Sequence, residues 1–439
     1  LSAHHEAVEP LASQATAHAR DTTDRARAYQ VWIQAAIARN ELDQAMDLTI
    51  VALAQLGIRL PADRLRLRSD LQKMPGAADK PVSAHDAQDE APSDNARSLI
   101  TILGSLARTR WALRGRQIED LADLPPVTDP SLRIAGSIMA SIGQSLQMQG
   151  SSHRIALITL EAMRLSLRHG LFPTSAVVYA AYGAILCMLD TVPGLGDIET
   201  AYRMGQLAMR LADRPEVQPY RARITVPVQY LVNHRRVHHR ESLAPLLAGY
   251  QSGLESGDPE AAALCALCYV SHAYQLGLPL DELEHQIADF AAVVAQLRQR
   301  AAELALAFNH QTVLNLLGRA DDPLRLTGER CDEEAARAEL EQSGSSGTLT
   351  AFLVLKAYLA YVFHDTDAAL ALADQMQPHV GAIAGFLAYA RCLALDALIR
   401  LDRCHQAGSA ERRRLVRQAQ ADLRRLQPWA KQAPMNHLH

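Results

Sequence analysis

The stretch AYQVWIQAAIA (28–38), turning through Arg39 and Asn40 into LDQAMDLTIVALAQL (42–56), decides how this chain folds. Apolar and small residues return about every three to four positions on both sides of the turn, the period of a helix with one buried face. Two such helices make an antiparallel hairpin with too little apolar area to stand alone, so it must stack on its neighbours. Leu56-Gly57-Ile58, with Pro61 close behind, reads as a helix end followed by a stop. The same march of helix and short turn returns along most of the chain. The expected fold is therefore all-α, a right-handed α-solenoid of helical hairpins.

Composition supports that class and narrows the function. Of the 439 residues 49% are hydrophobic but only 5% aromatic, the balance of helices that close on Ala and Leu. The 44 Lys and Arg against 48 Asp and Glu leave a formal charge of −4, so no overall basic field draws the chain to nucleic acid or to an anionic membrane. The longest apolar runs, such as Ala176 to Leu189, fall short of the roughly 20 residues a spanning helix needs, and no membrane span is expected. Cys187, Cys265, Cys268, Cys331, Cys392 and Cys404 stand in apolar helical contexts and read as reduced thiols of a cytoplasmic protein. Leu1 is not an initiator Met, so the chain is expected to be part of something longer.

Three regions are expected: N-terminal hairpins over 1–72, a flexible Pro-, Asp- and Ala-rich loop over 73–97, and a continuing helical array over 98–439. In the array Leu99, Leu103, Leu106 and Trp111 mark one helical face, and Asp129 is placed to cap the helix starting at Pro130. Asp258-Pro259-Glu260 and Asp281 with Glu284 read as further helix starts. Long helices are expected over about 219–234, 259–275 and 380–401, among others, with ends good to about 2–4 residues.

Chemistry-bearing clusters are few. Cys265 and Cys268 have metal-ligand spacing with His272 one turn on, and His234, His238 and His239 lie one hairpin earlier. Small thiols in an Ala- and Leu-rich helix are better explained by packing, so no metal and no cofactor is expected. Arg235, Arg236 and Arg240 form the densest basic patch. Tyr179, Tyr182, Tyr202, Tyr269 and Tyr274 recur in the central hairpins, where with the arginines they form a candidate ligand or partner surface of apolar walls and a basic edge. Arg412, Arg413, Arg414, Arg417, Arg424 and Arg425 read as the polar face of a last amphipathic helix. No phosphate loop, nucleophile turn, zinc-protease or kinase signature occurs, and no catalytic residue is named.

Tyr29, Trp32, Ala36, Ala45 and Ala52 approximate the spacing of a tetratricopeptide hairpin, with Ile33 standing where that motif prefers Gly. The middle of the chain, through Ser166-Leu167-Arg168-His169-Gly170, Ser175-Ala176, Tyr179-Ala180-Ala181-Tyr182-Gly183 and Tyr202-Arg203-Met204-Gly205-Gln206-Leu207-Ala208, resembles the helical-repeat region of large bacterial multidomain signalling proteins. Further matches are Arg114-Gly115-Arg116 to Leu124-Pro125, Leu254-Glu255-Ser256-Gly257-Asp258, and Trp429 with Pro434 and Asn436. The resemblance implies a serine/threonine-kinase-like domain and an AAA-type, signal-transducing ATPase before the repeats, and a GAF domain with a histidine kinase after them. It implies a non-catalytic sensory or scaffolding region that binds a protein or small effector, self-associates or bends, and so regulates those neighbouring domains. A pure interaction scaffold without effector is the alternative, and a metal-dependent enzyme the third reading.

Overall fold

The computed structural model describes residues 5–39, 41–60, 94–148, 152–192, 194–343 and 346–437. They fall into two compact units, Leu1–Tyr182 and Gly183–His439. Residues 73–93 of the expected loop lie outside the described residues, as do 61–72 at the end of the expected N-terminal hairpins and Gly344 and Ser345. From Asp94 the chain is helical. The all-α solenoid class stands: among the described residues there are nineteen α-helices and no strand, and most helices pack on sequence neighbours.

In the first unit, α1 (His5–Ala17), α2 (Thr22–Ala38) and α3 (Leu42–Gln55) form consecutive antiparallel pairs. Tyr29 and Trp32 stack at 6.3 Å between ring centroids, and Ile33, buried, fills the position where a tetratricopeptide hairpin carries Gly. The end of α3 is built as its Leu-Gly-Ile sequence requires. Gly57 takes a φ of +77°, and the Ile58 N–H donates back to Leu53 O at 2.9 Å. Of the helices α4 (Asp94–Leu113), α5 (Pro130–Met148) and α6 (Ser152–His169), α5 packs on α2 and α3 while α4 packs on α6. Asp129 caps α5 through the Ser131 N–H at 2.8 Å. Near the start of α7 (Ser175–Leu189), the connections around Pro126 and Leu171 are joined by an isolated parallel bridge.

The expected face of α4 is rotated. Ile102, Ser105, Leu106 and Thr109 are the buried stripe, and Trp111 is 77% exposed. Spacing by apolar residues alone misplaces this helix, because the two hydroxyl residues enter the core with their polar atoms satisfied. Thr109 Oγ1 donates to Ser105 O at 2.9 Å.

The second unit begins with the remainder of α7 and continues with α8 (Ile198–Ala212), α9 (Arg221–Pro227), α10 (Leu243–Glu255), α11 (Pro259–Gln275), α12 (Leu280–Gln296) and α13 (Arg300–Leu316). There follow α14 (Glu333–Ser343), α15 (Ser346–Val362), α16 (Thr366–Met376), α17 (Leu387–Arg403), α18 (Ser409–Gln432) and α19 (Pro434–His437). The pairs α10 with α11, α12 with α13, α15 with α16 and α17 with α18 are the hairpins. Asp258 caps α11 as expected. Asp281 does not cap α12, which starts one residue earlier behind Pro279, and Glu284 instead accepts from His310 Nε2 at 2.9 Å.

Two expected long helices are broken. In place of one helix over 219–234 the chain runs through α9, a π-helical turn at Val228–Val232 and a 3-10 turn at Asn233–Arg235. Pro227 supplies no N–H to the ladder, and the chain widens after it. Likewise a 3-10 turn at Val380–Ile383 and Gly385, with φ +89°, precede α17. The widened turn is held against α7 and α8 by glycines. A Cβ on Gly183 would stand 2.8 Å from Ala201 O, and one on Gly205 would stand 3.3 Å from both Val228 Cγ1 and Val232 Cγ1.

Candidate functional site

Breaking the helix at Pro227 frees a stretch, Gln229 to Ser242, whose sequence is too polar for an ordinary core yet is largely buried. Asn233, His234, Arg235 and His239 are all buried, while Arg236 and Arg240 are exposed. Residues about 200 positions later close over this turn. The Asn436 side-chain amide donates to His234 O at 2.7 Å and to Val237 O at 2.8 Å, and its oxygen accepts from the His239 N–H at 3.1 Å. Trp429 lies under the Arg235 guanidinium, 3.9 Å from its centre, and the His234 and His437 rings each stand 5.7 Å from the indole. On the other side, His272 of α11 lies 5.1 Å from Tyr230 and edge-on to His239 at 5.8 Å.

Arg235 is fully buried, and its Nη2 donates to Asp190 Oδ2 at 2.6 Å and to the Gln432 side chain. Its Nε and Nη1 find no hydrogen-bond partner. Nor do both ring nitrogens of His234 and His272, or Nε2 of His239 and His437. Eight imidazole and guanidinium nitrogens on five residues thus stand buried and unpartnered in one cluster. Each such group costs on the order of 1–3 kcal/mol if left so, which makes the cluster the least satisfied interior of the described chain.

Asp190 pairs with Arg235, but the four rings themselves feel only burial and positive or imidazole neighbours. Burial pushes the His272 imidazole down to about 3 and His437 to about 4, and holds His234 and His239 below the usual histidine range. After burial, the further downward pressure comes from positive or imidazole neighbours, Arg235, Arg391 and the other histidines; no carboxylate acts on any of the four rings. Neutral imidazoles so depressed are poor general bases near pH 7, since a base works best with its pKa near the operating pH. The donors left free are the N–H groups on Arg235 Nε and Nη1 and the single N–H of each neutral His234 and His272 ring, while His239, with Nδ1–H on Asn436 Oδ1, presents Nε2 as an acceptor.

The cysteines take no part. Cys265 turns its Sγ toward Ala222 O at 3.8 Å, and burial raises both its thiol and that of Cys268. Among the described residues no three His, Cys, Asp or Glu side chains stand where they could hold a metal ion. No described helix is long and apolar enough to cross a membrane.

The expected ligand surface does not assemble as drawn. Tyr179 is fully buried in the first unit with its hydroxyl 2.8 Å from Ser166 Oγ, and Tyr182 is buried too. In the second unit Tyr202 meets Arg236, 5.9 Å from the guanidinium, and Arg236 pairs with Glu199 at 2.5 Å. Tyr269 packs edge-on against Phe290 at 5.5 Å, and Tyr274 against Tyr358 at 6.1 Å. Arg240 is exposed, its N–H turned back to His238 Nδ1 at 3.1 Å. Tyr179, Tyr182 and Arg235 are thus interior packing residues, not surface. What sequence reasoning missed is that Trp429, Asn436 and His437 return onto this turn; Trp429 and Asn436 stood out in the sequence, as did the histidines at 234–239, but nothing joined the two.

One further feature adjoins the cluster. A groove of about 480 Å³ runs along α18, lined by Gln420, Leu423, Arg424, Leu426, Gln427, Ala430 and His437. His437 belongs to both.

No family model matches the chain. Hybrid signal transduction histidine kinase G of Dictyostelium discoideum is 24% identical over 158 residues, which is 36% of this chain and 4% of that protein. The chain thus spans a small fraction of the length of this curated relative. Among solved structures, a circular tandem repeat protein with novel repeat topology and enhanced subunit contact surfaces is 13% identical, with 98% of this chain and 90% of that chain covered and a TM-score of 0.16. At that score the likeness carries no argument, and the fold rests on the helices themselves.

Proposed function

We propose that this chain is a non-catalytic helical-repeat region of a larger signal-transduction kinase, working in the cytoplasm by binding a protein or small effector and setting the state of neighbouring domains. The observation that carries it is the use made of the polar side chains. The six cysteines, Tyr179, Tyr182, His234, His239 and His272 are buried among packed helices, an arrangement that can bind and transmit but offers no activated nucleophile or base. The partial similarity to a signalling histidine kinase supports the same class. The neighbouring domains in this reading are kinase-like, ATPase and GAF or histidine-kinase domains of the same polypeptide, and self-association of the array is a second way to transmit a signal. Nucleic acid is not a partner in it, given the net charge of −4.

The test is direct. Purified chain should turn over no ATP and transfer no phosphate, while its removal from the parent kinase should change the parent's autophosphorylation. ATP turnover abolished by a point change within 1–439 would overturn the reading. The scaffold without effector is favoured by one observation, the 77% exposure of Trp111 in the first unit, since exposed Trp side chains often anchor protein contacts. Loss of partner capture in Trp111→Ala, with no small ligand found, would decide for it.

A further inference from the structure

The groove on α18 joins three features. Its floor is apolar, with Leu426 and Ala430 half-buried and Leu423 48% exposed. Its edge carries Arg424, which is exposed and, among the described residues, makes no ion pair, and no described carboxylate lines it. Its inner end is His437, whose Nε2 is buried without a partner and beside which stand Arg235, with two unpartnered nitrogens, and Arg391. An apolar floor needs an apolar body. Arg235 is paired with Asp190, but Arg424 at the edge has no such partner and no carboxylate among the described residues lines the groove, so a negative head fits there.

We propose that this groove binds a small organic anion, its apolar body on Leu423, Leu426 and Ala430 and its anionic head between Arg424 and His437. A volume of about 480 Å³ lies within the range of small-molecule sites, roughly 300–1,000 Å³. A metal cation is disfavoured there by Arg424 and by a lining without carboxylates among the described residues, and a bare inorganic anion would leave the apolar floor uncovered. The head can be a phosphate or a carboxylate, which share the acceptor oxygens that Arg424 and an imidazole N–H require. His437 sits next to Asn436, which ties 436 to the backbone of His234 and Val237, so a head group on His437 fastens α19 onto that turn. The effector-sensing role of the site rests on the proposed function; the binding itself does not.

The experiment is isothermal titration of the whole chain at pH 7 and low salt with phenyl phosphate, phenylacetate, inorganic phosphate and benzyl alcohol. One saturable site is expected for phenyl phosphate or phenylacetate, and whichever binds more tightly assigns the head. Inorganic phosphate should bind at least about tenfold more weakly and benzyl alcohol not at all. Arg424→Gln and Leu423→Glu, both at exposed positions, should each raise Kd about tenfold or more, while Arg412→Gln, an unpaired arginine three turns earlier on α18, should leave it unchanged. In labelled protein the His437 imidazole should move toward its protonated signature on binding. Equal affinity for inorganic and phenyl phosphate, equal effects of Arg412→Gln and Arg424→Gln, or no saturable binding in folded protein would each overturn the site. Because none of these readouts involves a partner or a kinase, their failure leaves the proposed function standing.

Discussion

Gly183 and Gly205 both lie within helices that cross the widened turn after Pro227, yet alanine at the two positions should behave oppositely. By helix propensity alone each Gly→Ala change stabilises by about 0.5–1 kcal/mol. At Gly183 the new methyl would meet Ala201 O at 2.8 Å, against the roughly 3.3–3.6 Å of an ordinary carbon–oxygen contact. The obstacle is backbone, so α7 and α8 must part by about 0.5 Å along their crossing, and overpacking of this kind costs about 1–3 kcal/mol. The net expectation for Gly183→Ala is a loss of about 1–2 kcal/mol. At Gly205 the nearest atoms are valine methyls at 3.3 Å, which yield by tenths of an ångström, so gain and cost should cancel to within about 0.5 kcal/mol. Urea melts followed by circular dichroism give the difference, and hydrogen exchange over 198–212 locates it. A Gly183→Ala protein as stable as the parent, or the two variants shifting together, would refute the assigned crossing.

Two further predictions concern pH. His234, His239, His272 and His437 are held below their unfolded value of 6.5, chiefly by burial, so the unfolded chain binds more protons below that pH; the stability they confer is complete above about 6.5 and is lost as pH falls toward 4. The melting temperature should therefore fall over that window, and His437→Gln should reduce the slope. Asp422 runs the other way: burial, and then the Asp396 carboxyl beside it, raise its pKa to about 7, so its contribution is present at low pH and lost as pH rises through 7. Asp422→Asn should raise the melting temperature more at pH 8 than at pH 4, and equal shifts at both would refute the assignment.

The regular hairpins were legible because each is written locally. Asp258 caps α11, and the limits of α11 at Pro259–Gln275 are those expected. Where the expectation failed, the deciding information was either a backbone group or a distant residue. Pro227 reads as tolerable inside a run of Val, Ile and Thr, but its missing N–H widens the ladder into a π-helical turn. Tyr179 reads as a candidate ligand contact until Ser166, thirteen residues away, is seen to take its hydroxyl. Trp111 reads as core because Leu and Trp outweigh Ser and Thr in a periodicity count, while Ser105 and Thr109 enter the core with their hydroxyls bonded. The His and Arg cluster was half visible, its histidines at 234–239 in one place and Trp429 and Asn436 in another, with nothing in the spacing to join them.

The contrast between that cluster and the next hairpins bears on why it exists. In α13, buried polar side chains are satisfied: His310 bonds Glu284, Gln311 bonds Asn315, and Asn315 donates to Pro323 O and Arg325 O. Stacking hairpins therefore does not in itself leave polar atoms stranded. At the turn after Pro227 eight nitrogens are stranded, and an apolar side chain of similar shape would remove that cost. His272 is the cleanest case, fully buried with both ring nitrogens unpartnered and Tyr230 and His239 on two sides. If the cluster is kept for binding and not for packing, His272→Phe should raise stability by on the order of 1 kcal/mol while weakening any anion effect on the His437 resonance. Thermal melts at pH 7 on the parent and variant measure the first, and imidazole spectra with phenyl phosphate the second. A destabilised His272→Phe with intact folding elsewhere would show that the imidazole is a packing element with partners of its own, and the argument from stranded nitrogens would fail at its strongest residue.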